Sequence, residues 1–251
     1  MFADWPHPVI FAHRGASAHA PENTLAAFEL ALRQGADGIE LDAKLSADGH
    51  VVVIHDETVD RTTDGRGKVS KLSLAALREL DAGGFFSEQY RDESIPTLDE
   101  VFTAVGNRGL INIELTNYFT PGDCLVEQVV ALVRRHQLEE KVIFSSFLPF
   151  ILRQAAILVP EIPRGLLAWA GWKGAWARSF GFAFGVYEAL HPYWSDVTPQ
   201  QVYRVHRLKR RVHVWTVNKK EDMSRLLDWG VDGIFTDDPA AICSAQGRKP
   251  A

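Results

Sequence analysis

The sequence predicts an α/β fold, a (β/α)8 TIM barrel with a small insertion after the second barrel strand. Short apolar runs alternate with helix-like segments eight times along 251 residues. Most of these runs are nearly unbroken Val, Ile, Leu and Phe, as in parallel strands covered on both faces. Polar residues of the types that ligate metals and move protons recur where the runs end. A doubly wound sheet is the alternative fold. It wants a glycine-rich phosphate loop after the first strand, and His13-Arg14-Gly15 is not one.

The first strand, 9–12, stops at His13-Arg14-Gly15, a place for two large polar residues only if something binds there. A helix over Asn23 to Gln34 opens with Pro21-Glu22-Asn23-Thr24 and stops at Gly35. Strand 37–43 carries Glu40-Leu41-Asp42. A hairpin-like stretch, Leu45 to His55, closes Val51-Val52-Val53-Ile54 on His55-Asp56. An insertion of about 57–96 follows, punctuated by Asp64-Gly65-Arg66-Gly67, Ala82-Gly83-Gly84 and Ile95-Pro96, and placed over one mouth of the barrel. The remaining strands are 110–115, 141–145, 164–168, 185–190, 212–217 and 233–236. Helices are expected at about 97–106, 123–136, 147–158, 198–210 and 220–229, the last stopped by Gly230. One domain covers 1–251, with a frayed tail from Ser244 to Ala251.

Bulk properties narrow the function. A net charge of −5 with scattered Lys and Arg argues against a nucleic-acid partner. No apolar stretch approaches the roughly 20 residues of a membrane span, so stable membrane insertion is not expected. Met1 to Pro8 has neither a basic start nor an apolar core of a signal peptide. Cys124 and Cys243 lie far apart and read as reduced packing residues, which makes the cytoplasm the default location.

Alternate strand residues share a face, so Glu40 and Asp42 point the same way. Outward they would be buried under helices without partners, at prohibitive cost. Inward, near the rim, they can share a cation, and Glu114 stands at the equivalent end of the next barrel strand. Three carboxylates without cysteine favour Mg²⁺ or Ca²⁺ over zinc. His13 and His55 each close an apolar run and can serve as acid and base in one turnover. Arg14 offers a planar fork for phosphate oxygens, or a salt bridge to one of the carboxylates in the empty enzyme. Lys44 is in phase with Glu40 and Asp42; its ammonium either enters the same pocket or sits solvated at the mouth. Trp169, Trp172, Trp176 and Phe180 recur at helical spacing. They fit a helix packing its aromatic face on the barrel, or a greasy rim for a lipid-derived alcohol or a membrane surface.

These motifs together resemble the glycerophosphodiester phosphodiesterases. His13-Arg14-Gly15, Pro21-Glu22-Asn23-Thr24, Glu40-Leu41-Asp42, Asp48-Gly49, His55-Asp56 and Asp60-Arg61-Thr62-Thr63-Asp64-Gly65 match that family's signature in order. So do Ile95-Pro96-Thr97-Leu98, Asn112-Ile113-Glu114, Trp215-Thr216-Val217-Asn218 and Asp232-Gly233-Ile234-Phe235-Thr236-Asp237, a match spanning residues 12 to 239. The resemblance implies a (β/α)8 barrel with a small insertion after its second strand. It makes His13 and His55 the acid-base pair, gives one divalent cation to Glu40, Asp42 and Glu114, sets Arg14 on phosphate, and lines the pocket near the glycerol with Trp215. It also implies that the glycerol 2-hydroxyl, held on the metal, attacks first to give a cyclic phosphate; the residues themselves leave direct attack by water equally open. One departure stands out. The family usually has lysine two residues after the metal-binding glutamate, and here that residue is Thr116.

The expected reaction is hydrolysis of a small-molecule glycerophosphodiester to an alcohol and glycerol 3-phosphate. The rivals are a lysophospholipase D-like phosphodiesterase acting on lipids and a non-catalytic phosphodiester-binding protein. The latter is expected to lack a histidine or a metal ligand, and none is missing.

Overall fold

The structure, a computed structural model, describes residues 5, 6, 8–120, 122–245 and 247. Its strands are β1 (Val9–Ala12), β2 (Gly38–Leu45), β3 (Val51–Val53), β4 (Leu110–Leu115), β5 (Val142–Ser146), β6 (Arg164–Ala168), β7 (Ala189–Pro192), β8 (Arg211–Val214) and β9 (Gly233–Thr236). All but β3 pair in parallel, and β1 pairs with both β2 and β9, so eight strands close into a barrel. The short β3 folds back antiparallel on β2, as the hairpin-like stretch predicted.

Helices α1 (Leu25–Arg33), α2 (Leu74–Arg78), α3 (Leu98–Val105), α4 (Leu125–His136), α5 (Pro149–Leu158), α6 (Phe180–Ala183), α7 (Pro199–Arg207), α8 (Lys220–Asp228) and α9 (Pro239–Ala245) complete the order. Thr24 caps α1, accepting from Ala27 N. Thr97 and Glu100 form a reciprocal capping box on α3, so both helices start where the sequence signals them. The helices bury one face against the outward strand residues. On β2 and β4 those are Ile39, Leu41, Ala43, Ile111, Ile113 and Leu115, all in the main core. Toward the C-terminal ends of the same strands the inward residues, Glu40, Asp42, Lys44, Asn112 and Glu114, are polar, which places the chemistry inside the barrel mouth.

Between β3 and α3 the chain wraps a separate small core of Val52, Ile54, Val59, Val69, Leu77, Ala82 and Ile95. Gly83 is required there because a Cβ would sit 1.8 Å from the Tyr90 carbonyl oxygen.

Some boundaries differ from expectation. The strand placed at 185–190 runs Ala189–Pro192 instead, because Gly185 and Tyr187 belong to the turn after α6, where Tyr187 stacks on Phe182. The strand placed at 212–217 stops at Val214; Trp215 turns its indole to the His191 carbonyl. Ser244 ends inside α9 rather than in a frayed tail, whose last residues lie outside the described ones. The two cysteines are free, but only Cys243 is buried; Cys124 is exposed and is not a packing residue. The aromatic stretch 169–180 is not a helix packed on the barrel. Only a 3-10 turn at Gly171–Gly174 and the one-turn α6 form, since glycines at 171, 174, 181 and 185 lower helix propensity throughout.

Candidate active site

Register builds the centre of the site. Pairing of β2 with β4 sets Glu40 beside Asn112 and Asp42 beside Glu114. Carboxylate oxygens of Glu40, Asp42 and Glu114 come within 4.8 Å of one another in the barrel mouth. Asn23 holds Asp42 (Nδ2 to Oδ2, 2.8 Å), Tyr118 Oη donates to Glu114 Oε1 at 2.6 Å, and the Arg14 backbone N–H donates to Glu40 Oε2 at 2.9 Å. Burial, together with the Asp42 and Glu114 charges, pushes the Glu40 carboxyl well above the usual range. Burial and Asp42 push Glu114 up to about 8. Asp42 stays low despite burial, chiefly through Arg14. Three buried carboxylates facing too little positive charge are a donor set suited to a hard divalent cation.

The two histidines are mounted alike. His13, just past β1, sits with Nδ1 2.7 Å from Asp237 Oδ1; His55, just past β3, sits with Nδ1 2.6 Å from Asp56 Oδ1. With Nδ1–H donated to a carboxylate, Nε2 of each ring is left to exchange protons. Asp237 is itself oriented by Asn218 Nδ2 at 2.6 Å.

An arc of ion pairs joins the two sides. Arg61, from the insertion, donates Nε to Asp56 Oδ2 (2.6 Å), Nη1 to Glu22 Oε2 (2.7 Å) and Nη2 to Glu22 Oε1 (2.7 Å). Glu22 in turn accepts from Arg14 Nη1 at 2.9 Å. Arg61 holds Asp56 down at about 2. Arg14 Nε is buried, ion-paired with Asp42 Oδ2 at 3.5 Å, and has no hydrogen-bond partner of its own.

Lys44 points inward with Glu40 and Asp42 and is only 6% exposed, so the solvated placement is overturned. Its Nζ donates to Thr116 O (3.0 Å), Thr116 Oγ1 (3.1 Å) and Glu57 Oε1 (2.9 Å). All three ammonium donors are therefore engaged. His13, Arg14, Glu40, Lys44, His55, Glu114 and Trp215 all line one cavity of about 370 Å³. Its far wall is aromatic: Phe147 stacks on Trp169 at 3.8 Å, and Phe119 and Trp215 complete it.

Reasoning from sequence missed the carboxylates behind the histidines and the arc. Asp56, Asp237, Glu22 and Arg61 all lie in motifs that were visible, but nothing along the chain pairs residue 13 with 237 or 22 with 61. His191 lines the same cavity. That residue is wholly buried at the cavity floor, its Nε2 3.2 Å from His213 Nδ1, and burial lowers it to about 3.

A closed parallel barrel thus gathers an acidic cluster and two carboxylate-held imidazoles at one mouth. Residues 13–241 match the Glycerophosphoryl diester phosphodiesterase family. A glycerophosphodiester phosphodiesterase of Caldanaerobacter subterraneus subsp. tengcongensis is 42% identical over 235 residues, covering 93% of this chain and 96% of that protein. One of Bacillus subtilis is 35% identical over 244 residues, covering 91% and 83%. An Oleispira antarctica phosphodiesterase, solved with its product sn-glycerol-3-phosphate, superposes with a TM-score of 0.88 at 35% identity, over 96% of this chain and 97% of that one. The chain belongs to the glycerophosphoryl diester phosphodiesterase family and is an enzyme of that class.

Proposed function

We propose that the chain hydrolyses glycerophosphodiesters to an alcohol and glycerol 3-phosphate, with His13 and His55 as the acid-base pair. The observation that carries this reading is the matched mounting of the two imidazoles, each on its own aspartate, in one cavity with Glu40, Glu114 and Arg14 and beside buried Asp42. The product bound to the Oleispira antarctica relative supports the same substrate class.

Glu40, Asp42 and Glu114 would hold one divalent cation, Mg²⁺ or Ca²⁺, which supplies charge neutralisation to the phosphate oxygens. The Arg14 guanidinium, steadied by Glu22, donates to the same phosphate. One imidazole takes the proton of the attacking oxygen, either of water directly or of the glycerol 2-hydroxyl with water then opening the cyclic phosphate, as that oxygen bonds to phosphorus. The other gives a proton to the alcohol oxygen as its bond to phosphorus breaks. Asp237 and Asp56 keep both rings oriented. Lys44 extends the cationic side of the pocket, and Trp215 walls the glycerol end. The aromatic wall of Phe147 and Trp169 favours alcohols with an apolar portion as a second substrate class.

The test is turnover of glycerophosphocholine, glycerophosphoethanolamine and a lysophospholipid by purified protein with Mg²⁺ or Ca²⁺, read as glycerol 3-phosphate or, for the lysophospholipid, as free headgroup alcohol. Release from the soluble diesters is expected. No turnover of either soluble diester with either metal overturns the reading, and turnover of the lysophospholipid alone gives preference to the lipid substrate.

A further inference from the structure

Residues 169–186 leave the barrel mouth after β6. Trp172, Phe180 and Phe184 stand 83%, 74% and 86% exposed, and Trp176 is also exposed. The Phe180 and Phe184 rings lie parallel on the same side of the loop, 3° between their planes. The patch is continuous with the cavity, because Trp169 belongs to both. The barrel does not need these rings; folded chains keep a large exposed apolar patch chiefly where something covers it.

Charge identifies the cover. The segment contains Lys173 and Arg178 and no acidic residue, in a chain whose net charge is −5. Arg210 lies over the Phe182 ring and donates to the carbonyls of Phe182 and Gly185. Arg204 lines a groove beside Phe180 and Leu208. The acid in that groove, Asp196, pairs with Arg178 at 2.9 Å and the two cancel, so the positive charge the face presents is that of Lys173 and Arg204. A second copy docked about a two-fold axis would bring these cations against themselves. An anionic phospholipid surface answers both properties: tryptophan and phenylalanine settle at the headgroup level, and lysine and arginine meet the negative leaflet.

We propose that residues 169–186 form a peripheral docking face for an anionic phospholipid bilayer. The face holds the cavity mouth at the membrane without inserting a helix. Resting on the proposed reaction, docking also has a chemical rationale. A glycerophosphodiester with two free glycerol hydroxyls is what remains when both acyl chains are hydrolysed from a phospholipid, so a deacylation reaction at a membrane must supply the substrate.

The test measures binding without turnover, so its failure is separate from failure of the catalytic reading. The full chain is sedimented with vesicles of phosphatidylcholine alone or mixed with phosphatidylglycerol, and tryptophan emission is recorded. Binding that rises with phosphatidylglycerol, a blue shift, and weakening by salt are expected. The triple variant Trp172→Ser, Phe180→Ser, Phe184→Ser is expected to lose binding at least tenfold while hydrolysing a soluble diester normally, which reports its fold. Lys173→Glu with Arg204→Glu is expected to weaken binding to anionic vesicles only. No binding at any lipid composition, or equal binding by wild type and triple variant, overturns the proposal. A concentration-dependent dimer that the triple variant abolishes assigns the face to a second copy and overturns it as well.

Discussion

Lys44 Nζ lies 3.1 Å from Thr116 Oγ1 and 3.0 Å from Thr116 O, so an ammonium from β2 stands against the residue just past β4 that takes the place of the lysine usual in the family. The cation comes from the neighbouring strand. Its third donor is on Glu57, which competes with phosphate for it.

Lys44→Met is therefore expected to raise KM for a soluble glycerophosphodiester about tenfold and to weaken inhibition by inorganic phosphate, since a buried charged contact is worth more than the ~1 kcal/mol of an exposed pair. Thr116→Lys alone brings two ammonium groups together and is expected to be neutral or harmful. Combining it with Lys44→Met is expected to recover activity, and Glu57→Gln to tighten phosphate binding. A silent Lys44→Met with an activating Thr116→Lys removes Lys44 from the phosphate site.

The acidic cluster predicts proton release on metal binding. Glu114, held at about 8 by burial and Asp42, is mostly protonated at pH 7 and must deprotonate to ligate a cation. Calorimetry of Mg²⁺ or Ca²⁺ binding in buffers of different ionisation enthalpy is expected to show release near pH 7 that declines as the pH rises through about 8, with affinity rising over the same range. Chelation and Asp42→Ala are each expected to abolish hydrolysis. Full activity after exhaustive chelation contradicts the metal site.

The histidines are expected to act as a unit. His13→Ala and His55→Ala should each lower kcat by at least ~10². The double variant should be far less impaired than the product of the two losses, because both serve one reaction. Multiplicative losses argue for independent roles.

Arg61 touches neither metal ligand nor histidine, yet it grips the carboxylates that hold His55 and Arg14. Arg61→Met is expected to lower kcat and to weaken glycerol 3-phosphate binding together. Arg61→Lys, which lacks the fork to reach both carboxylates at once, is expected to recover only part. Loss of thermal stability with kcat and product affinity unchanged reduces Arg61 to a tether for the insertion.

Buried His191 gives a pH dependence of stability. Its folded value is about 3, against about 6.5 when unfolded. Between those values the unfolded chain binds the extra proton. The contribution is therefore fully present above about pH 6.5 and is lost as the pH falls toward 3. At pH 5 the loss is about 2 kcal/mol. Denaturant unfolding of His191→Gln, compared with wild type from pH 7 to 5, is expected to show a shallower decline; equal slopes contradict the assignment.

The sequence was sufficient for the barrel and for part of the site, since it named the residues at the strand ends but not the carboxylates and Arg61 that hold them. Eight apolar runs set the architecture, and period-two spacing put Glu40 with Asp42 and Asn112 with Glu114, because strand alternation is a local property. It also showed that lysine is missing at Thr116. Tertiary structure decided what each group faces. Lys44 became a buried neighbour of Thr116 only through the register of β2 on β4, and His13 met Asp237 only because β9 closes on β1. The helical spacing of Trp172, Trp176 and Phe180 misled, since glycines stop the helix that would have buried them. Distances across a closed barrel depend on how strands from opposite ends of the chain pair, and the local pattern of residues holds no record of that pairing.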